Sequence, residues 1–362
     1  MYKRQGTKRE TIDQAEVIDV ILSTAPEGLT LAHPAEILNT VAGVNIHRGS
    51  GQEHLTAIRS PVLTGGAGAG SFLYTLDGVP LRAAGFANVN GLLEAPTEIA
   101  SRLEIFKGPG PADFGSNAVH GLINTVLAGP STGEEYVSVQ GSSRGFANAT
   151  AVVDITDSLR VSADLTHDDG FRDDSGFDQQ KLTVQHFTQI GNWDINSLLA
   201  LNNLNQETAG FLQGEDAYLD RDFIETNAFP EAFRDTQALR VQVKAQRETD
   251  YGTLILQPYA RRTQQRFLRH FVPGQALDKN GHTSFGFKSG LYGEGWSAGI
   301  DAEYTSGFQF EFQENPDAFS FVQGLHFDYE VDAVVVAGFA TKDFQISESA
   351  TCLLYTSPSP RD

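Results

Sequence analysis

The chain has 362 residues, enough for two or three domains or one large barrel. Hydrophobic residues make up 40% and charged residues 20%, which argues against a disordered chain. A surplus of 46 acidic over 26 basic residues gives a net charge of −20 and disfavours a nucleic-acid binder, which needs a basic surface. One cysteine excludes a disulfide framework and a thiolate zinc site, and no apolar run reaches the roughly 18 residues of a transmembrane helix.

Both ends read as foreign to what lies between. One legal encoding of residues 352–362 matches a transposase sequencing adapter, and residues 1–5, with a GTG start, match the other strand of the same adapter end. The only methionine and the only cysteine fall in these two stretches. Residues 1–5 and 352–362 are expected to be adapter-derived, and the stretch between them a gene fragment, so a missing leader carries no information on localisation.

In chain order, 6–29 form an N-terminal segment containing EVIDVIL. Residues 30–130 mix short apolar runs with glycine: AEILNTVAGVNIHRGSGQEHLTAIRSP from Ala35 to Pro61, GGAGAG from Gly65 to Gly70, LYTLDGVPL from Leu73 to Leu81 and RLEIFKGPGPADFGSNAVHGLIN from Arg102 to Asn124. Asp77-Gly78 between two apolar runs is a strong tight-turn signal. GGAGAG lacks the Gly-Lys-Ser/Thr of a phosphate loop and reads as a flexible loop.

From about residue 134 to 351 the pattern changes to period two. Leu159, Val161, Ala163 and Leu165 alternate with Arg160, Ser162, Asp164 and Thr166; Val241, Val243 and Ala245 alternate with Arg240, Gln242 and Lys244; Phe308, Phe310 and Phe312 alternate with Gln309, Glu311 and Gln313. Strands are predicted near 135–142, 146–156, 159–168, 178–190, 193–205, 236–248, 253–268, 283–292, 296–306 and 326–341. Short turns at 157–158, 191–192, 250–252 and 293–295 alternate with long loops near 169–177, 206–235, 269–282 and 307–325. Tight turns on one side and long loops on the other are the pattern of an outer-membrane barrel. Trp193 and Trp296, the only tryptophans, each follow a short turn, and Tyr251 sits in another, where an aromatic girdle belongs.

Together these segments resemble the TonB-dependent outer-membrane receptors. Their plug domain shows an E-[IV]-x-K-G-P segment, an aromatic before G-[ST]-x-A, and then G-x-I-N. Here those positions are Glu104, Ile105, Lys107, Gly108, Pro109, Phe114, Gly115, Ser116, Asn117, Ala118, Gly121, Ile123 and Asn124. The chain departs from the family where Ser60-Pro61 follows Ile58-Arg59 in place of a glycine, and where His120 replaces a frequent glycine. The expected fold is β-rich: an α/β plug over 30–130, then about ten strands of an incomplete antiparallel barrel of about twenty-two over 134–351. Arg59, Glu104 and Lys107 are charges in apolar surroundings and must pair, inside the plug or against the barrel wall.

The resemblance implies a bacterial outer-membrane protein for active uptake of a scarce nutrient, most often a ferric siderophore, with outer-membrane lipid and the TonB energy transducer as partners. Cobalamin, a carbohydrate or another chelate are alternative cargoes, and a passive porin-like or adhesive barrel is the alternative of another class. TonB captures a short extended box by strand addition. The candidate is Glu16, Val17, Ile18, Asp19, Val20, Ile21 and Leu22, which read equally well as the first plug strand. The remaining plug-motif positions, with Arg59, are Asp77 and Gly78. No catalytic residue, cofactor or metal site is expected. His167-Asp168-Asp169 and Arg172-Asp173-Asp174 read as a solvated acidic loop, and the aromatics of Pro230–Phe233 and Arg269–His282 as loop residues.

Overall fold

The computed structural model describes residues 18–22, 32–62, 71–86, 90–115, 117–270, 274–347 and 350–356. Residues 1–17, with the first two positions of the candidate box, and the glycine run 65–70 lie outside them.

The N-terminal part is built on a five-stranded sheet. Its elements are β1 (Ile18–Leu22), α1 (Ala35–Leu38), β2 (Val44–Arg48), β3 (His54–Ile58), β4 (Phe72–Leu76), β5 (Val79–Pro80), β6 (Ala100–Lys107) and β7 (Gly121–Leu127). The sheet order is β1-β6-β7-β4-β5, and β2 and β3 form a separate hairpin. Strands β4 and β7 pair in parallel, and every other pair is antiparallel. All residues of β4 and β7 are buried, which explains why they read as continuous apolar runs instead of alternating ones. From these strands Phe72, Tyr74, Leu76, Ile123 and Leu127 form one core with Ile37, Leu38, Ile58, Leu92, Leu103 and Ile105, while Leu73 and Leu122 pack with Phe106 and Phe114 in a second cluster. Besides α1, the described helical pieces here are 3₁₀ turns at Gly91–Glu94, Thr97–Ile99 and Ala112–Phe114. Asp77 and Gly78 have φ of 49° and 82°, the doubly left-handed turn that the Asp-Gly pair specifies.

The rest is one antiparallel sheet: β8 (Tyr136–Gly141), β9 (Ala147–Thr156), β10 (Leu159–Asp168), β11 (Phe177–Ile190), β12 (Trp193–Glu207), β13 (Phe233–Thr249), β14 (Gly252–Leu268), β15 (Leu277–Gly293), β16 (Trp296–Gln313), β17 (Gly324–Ser347) and β18 (Ala350–Thr356). Each strand pairs with its neighbour in sequence, and the described sheet is open, with β8 and β18 at its edges. Ten strands coincide with the expected ten. An eleventh, β18, lies largely in the tail read as adapter-derived.

The long strands extend further than the sequence indicated. The predicted loop at 269–282 shrinks to 269–276, and the one at 307–325 to 314–323. Asp278, Lys279 and Asn280 have turn-forming neighbours, yet Leu277 to His282 pair residue by residue with Phe312 to Gly307. Ladder pairing outweighs local turn propensity there.

The sheet is inverted relative to a soluble one. Along β11, Gln179, Lys181, Thr183 and Gln185 are buried and face inward, whereas Leu182 points outward and is exposed. Leu201, Leu239, Val241, Phe285, Phe287 and Ile300 continue an exposed apolar band across neighbouring strands. Such a band is stable only under lipid, and the polar inner face is sealed by the N-terminal domain. Trp193 and Trp296 begin β12 and β16 at the short-turn end, and the Arg247 guanidinium lies 4.6 Å over the Trp193 ring.

Candidate functional site

The interface between the N-terminal domain and the inner wall carries the densest buried polar chemistry. Its plug-side anchor is Asn124, fully buried on β7. Asn124 Oδ1 accepts from Thr75 Oγ1 at 2.7 Å and from the Gly78 amide at 3.0 Å, while its Nδ2 donates to Glu104 Oε2 at 2.9 Å. Glu104, 2% exposed, is held on its other oxygen by Arg102 Nη2 at 2.8 Å. Gly121 begins the same strand, where a Cβ would lie 2.7 Å from Ile58 Cδ1 and 2.9 Å from the Phe106 carbonyl, so only glycine fits.

The wall grips the β4–β5 hairpin that this network supports. Gln257 Nε2 donates to the Asp77 carbonyl at 3.1 Å and Lys288 Nζ to the Gly78 carbonyl at 2.9 Å. Arg240 donates to the Pro80 and Leu81 carbonyls at 2.8 and 2.7 Å. Arg261 Nη1 also donates to Pro80 O, and its Nη2 meets Glu303 Oε2 at 2.5 Å. Beside them Arg82 and Glu94 pair at 2.6 Å, both buried, and Thr263 Oγ1 donates to Glu94 at 3.2 Å. A second grip holds the β2–β3 turn: Arg234 Nε donates to Glu53 at 2.8 Å, and Gln206 Oε1 accepts from the Gln52 amide at 2.7 Å. A third joins Lys181 to Glu98 at 2.7 Å and to the Ala95 carbonyl at 2.9 Å.

The motif positions divide accordingly. Asp77, Gly78, Glu104, Gly121 and Asn124 meet in the Asn124 network or beside it. Lys107 is half-buried and donates to the Ala42 carbonyl at 3.1 Å. The expectation of burial fails for Arg59: it is exposed, just past the end of β3, with φ of 48° and its amide donating to Gly43 O at 2.8 Å. Gly108, Pro109, Gly115, Asn117 and Ala118 form the loop between β6 and β7; Gly110 N donates to Ala118 O at 2.8 Å, and Asn117 Nδ2 to Ala84 O at 2.8 Å. His120 packs its ring 5.9 Å from Phe72. Of the candidate box, Ile18 to Leu22 form β1, pairing from Ile18↔Phe106 to Leu22↔Arg102. In the acidic loop, His167 contacts Asp169 and Asp178, and Arg172 ties this loop to the carbonyls of Gly210 and Thr226.

Buried titratable groups give the plug a pH dependence. His54 accepts at Nε2 from the Leu92 amide at 3.3 Å and places Nδ1 3.1 Å from the Gln52 carbonyl, as a neutral ring would. Burial lowers its pKa to about 4, and burial with the neighbouring His54 holds His33 well below the usual histidine range. Such groups contribute stability above the unfolded histidine pKa of about 6.5 that is lost as pH falls towards 4. Asp77 has the opposite sign. Burial raises its carboxyl to about 6, so its contribution is present at acid pH and lost as pH rises through that value. Asp77→Asn is therefore expected to raise the thermal midpoint by a few degrees at about pH 7.5 and to change little at about pH 4.5. His54→Gln is expected to flatten the acid loss. Thermal unfolding at both pH values checks this; an Asp77→Asn gain as large at acid pH contradicts it.

The wall residues of the grips were not singled out from sequence. Their signal is the polar half of each alternating strand, as in Arg240 and Gln242, but alternation alone does not say what that face meets.

Residues 10–122 match the family model described as TonB-dependent Receptor Plug Domain. Over 144 residues, 40% of this chain and 22% of the relative, the sequence is 29% identical to the Vitamin B12 transporter BtuB of Vibrio vulnificus (strain CMCP6). Among solved structures, the ferric yersiniabactin uptake receptor FyuA from Yersinia pestis superposes with a TM-score of 0.71 at 13% identity, over 95% of this chain and 56% of that one. The FpvAI–pyocin S2 complex gives 0.74 at 13%, over 94% and 52%. The chain thus spans about half the length of the solved structures it matches. A plug seated against an inverted β-wall is the architecture this chain shares with the TonB-dependent receptors, the plugged β-barrels of the bacterial outer membrane, and its residues 10–122 match their plug domain.

Proposed function

We propose that this chain serves TonB-dependent uptake of a scarce nutrient across the outer membrane, with a ferric siderophore as cargo. The observation that carries the reading is the gripped plug: polar contacts from at least three strands of the wall hold the β4–β5 hairpin inside the barrel. A passive pore has no use for such a seal, whereas a gated receptor needs one that work can break. Transport of this kind makes and breaks no covalent bond in the cargo. The names of the solved neighbours favour iron chelates, and that of the relative favours cobalamin. Uptake of radiolabelled ferric siderophores and of labelled cobalamin, in cells with and without TonB, separates these cargoes. TonB-dependent iron uptake supports the proposal, and cobalamin uptake alone overturns the cargo.

The candidate box fits the same mechanism. β1 occupies the edge of the plug sheet, so a partner that takes 16–22 by strand addition must peel it from β6. Val20→Pro removes a backbone donor in mid-strand. It is expected to abolish uptake while leaving surface binding of the ligand intact, and binding and uptake assays on the same cells check this.

A further inference from the structure

The outer face of the wall changes character row by row. One row, Val161, Val184, Leu199, Val241, Ala260 and Phe285, is wholly apolar. The next row towards the long loops runs Ala163, Leu182, Leu201, Leu239, Arg262 and Thr283. Above it Gln180, Asn203 and Gln237 form a ladder, with amide hydrogen bonds of 2.7 and 3.2 Å. One row higher, Arg266 stands directly opposite Lys279. Arg262 is therefore a cation in the last row of the apolar belt. It is exposed and has no ion pair among the described residues, unlike Arg266, which reaches Asp235 at 4.0 Å. Beside it lies a groove of about 570 Å³, floored by Leu165, Leu182, Leu201 and Leu239 and edged by Asn203 and Arg262.

An apolar floor under a polar rim with an unpaired cation matches an amphiphile with an anionic head. Lys279, across from Arg266 two rows above Arg262, adds a further cation on the same side of the belt. A free anion would leave the leucine floor uncovered, and a neutral acyl chain would leave the arginine unmatched. We propose that this groove seats a phosphorylated lipid of the outer leaflet, with an acyl chain along the leucines and phosphate at Arg262, so that the receptor carries a bound lipid at the rim of its belt. This site lies on the opposite face of the sheet from the plug and is independent of cargo.

The test uses the receptor extracted from outer membranes in mild detergent, with retained lipid measured by native mass spectrometry. It adds the thermal shift on titration with phosphatidylglycerol or phosphatidylcholine vesicles. The parent is expected to retain phosphorylated lipid and to respond to phosphatidylglycerol. Arg262→Gln is expected to lower retention at least about tenfold, and Arg262→Lys to keep most of it. Leu201→Trp fills the floor, keeps the cation and is expected to lose the lipid as well; being outward-facing, it leaves the plug contacts untouched. Equal retention by the parent and Arg262→Gln overturns the proposal. So does an equal response to inorganic phosphate alone, which would mark a simple anion site, or cross-linking of two copies through this face.

Discussion

Replacing Asn124 with leucine is expected to destabilise the plug by about 3 kcal/mol or more, although the side chains are close in volume. No cavity is created, so the effect isolates the polar network. Asn124 satisfies the Thr75 hydroxyl and the partly buried Gly78 amide and donates to Glu104, with Thr75, Glu104 and Asn124 itself buried. A buried polar group left without its partner costs about 1–3 kcal/mol, and a buried charge more. The loss should localise: hydrogen exchange should accelerate at the β4–β5 hairpin and along β7, while the outer strands keep their protection. Thermal unfolding with residue-resolved exchange measures both. A change below about 1 kcal/mol would mean the network does not hold the hairpin.

The second large effect is expected from removing both arginines of the wall, Arg240→Ala with Arg261→Ala. Together they satisfy the Pro80 and Leu81 carbonyls, and Arg261 also neutralises Glu303. Breaking a buried pair from one side costs about 3–5 kcal/mol. Each 1.4 kcal/mol shifts a population tenfold, so the displaced plug should become at least about a hundredfold more populated. Cells carrying the double variant should admit large antibiotics that the parent excludes, while binding less plug-dependent cargo. Arg221→Ala, in the exposed loop between β12 and β13, is the matched control and should change neither. Unchanged permeability in the double variant would show that the grip is ornamental to the seal.

The sheet was legible because period two runs through strands such as β10 and β13, and its short turns because aspartate and glycine punctuate them at 157–158, 191–192, 250–252 and 293–295. The plug was legible through family motifs that are local, such as Glu104 to Pro109 and Gly121 to Asn124. What sequence could not show is which distant residues meet. Arg240 and Pro80 lie 160 positions apart, and Arg234 and Glu53 181. No local pattern couples them; only the closing curvature of the wall brings each to the other. Arg59 was misread for a related reason: apolar neighbours in sequence implied burial, but the chain leaves β3 at that residue and turns the guanidinium outward. Arg262 is visible in the sequence as a cation in an alternating strand, yet its row in the outer belt is fixed only by register.

The proposed gating can be tested by tethering. Ser50 Oγ donates to the Ala209 carbonyl at 3.0 Å and accepts from its amide at 2.9 Å, so the plug and the loop above β12 touch there. Cysteines at Ser50 and Ala209, oxidised to a disulfide, would fix the plug to the wall without entering the hairpin grips. Uptake of labelled ligand, measured in TonB-positive cells before and after reduction, is the decisive readout. The gated-plug account predicts that the oxidised form binds ligand normally, transports none, and regains transport on reduction. Undiminished transport by the tethered form would contradict it.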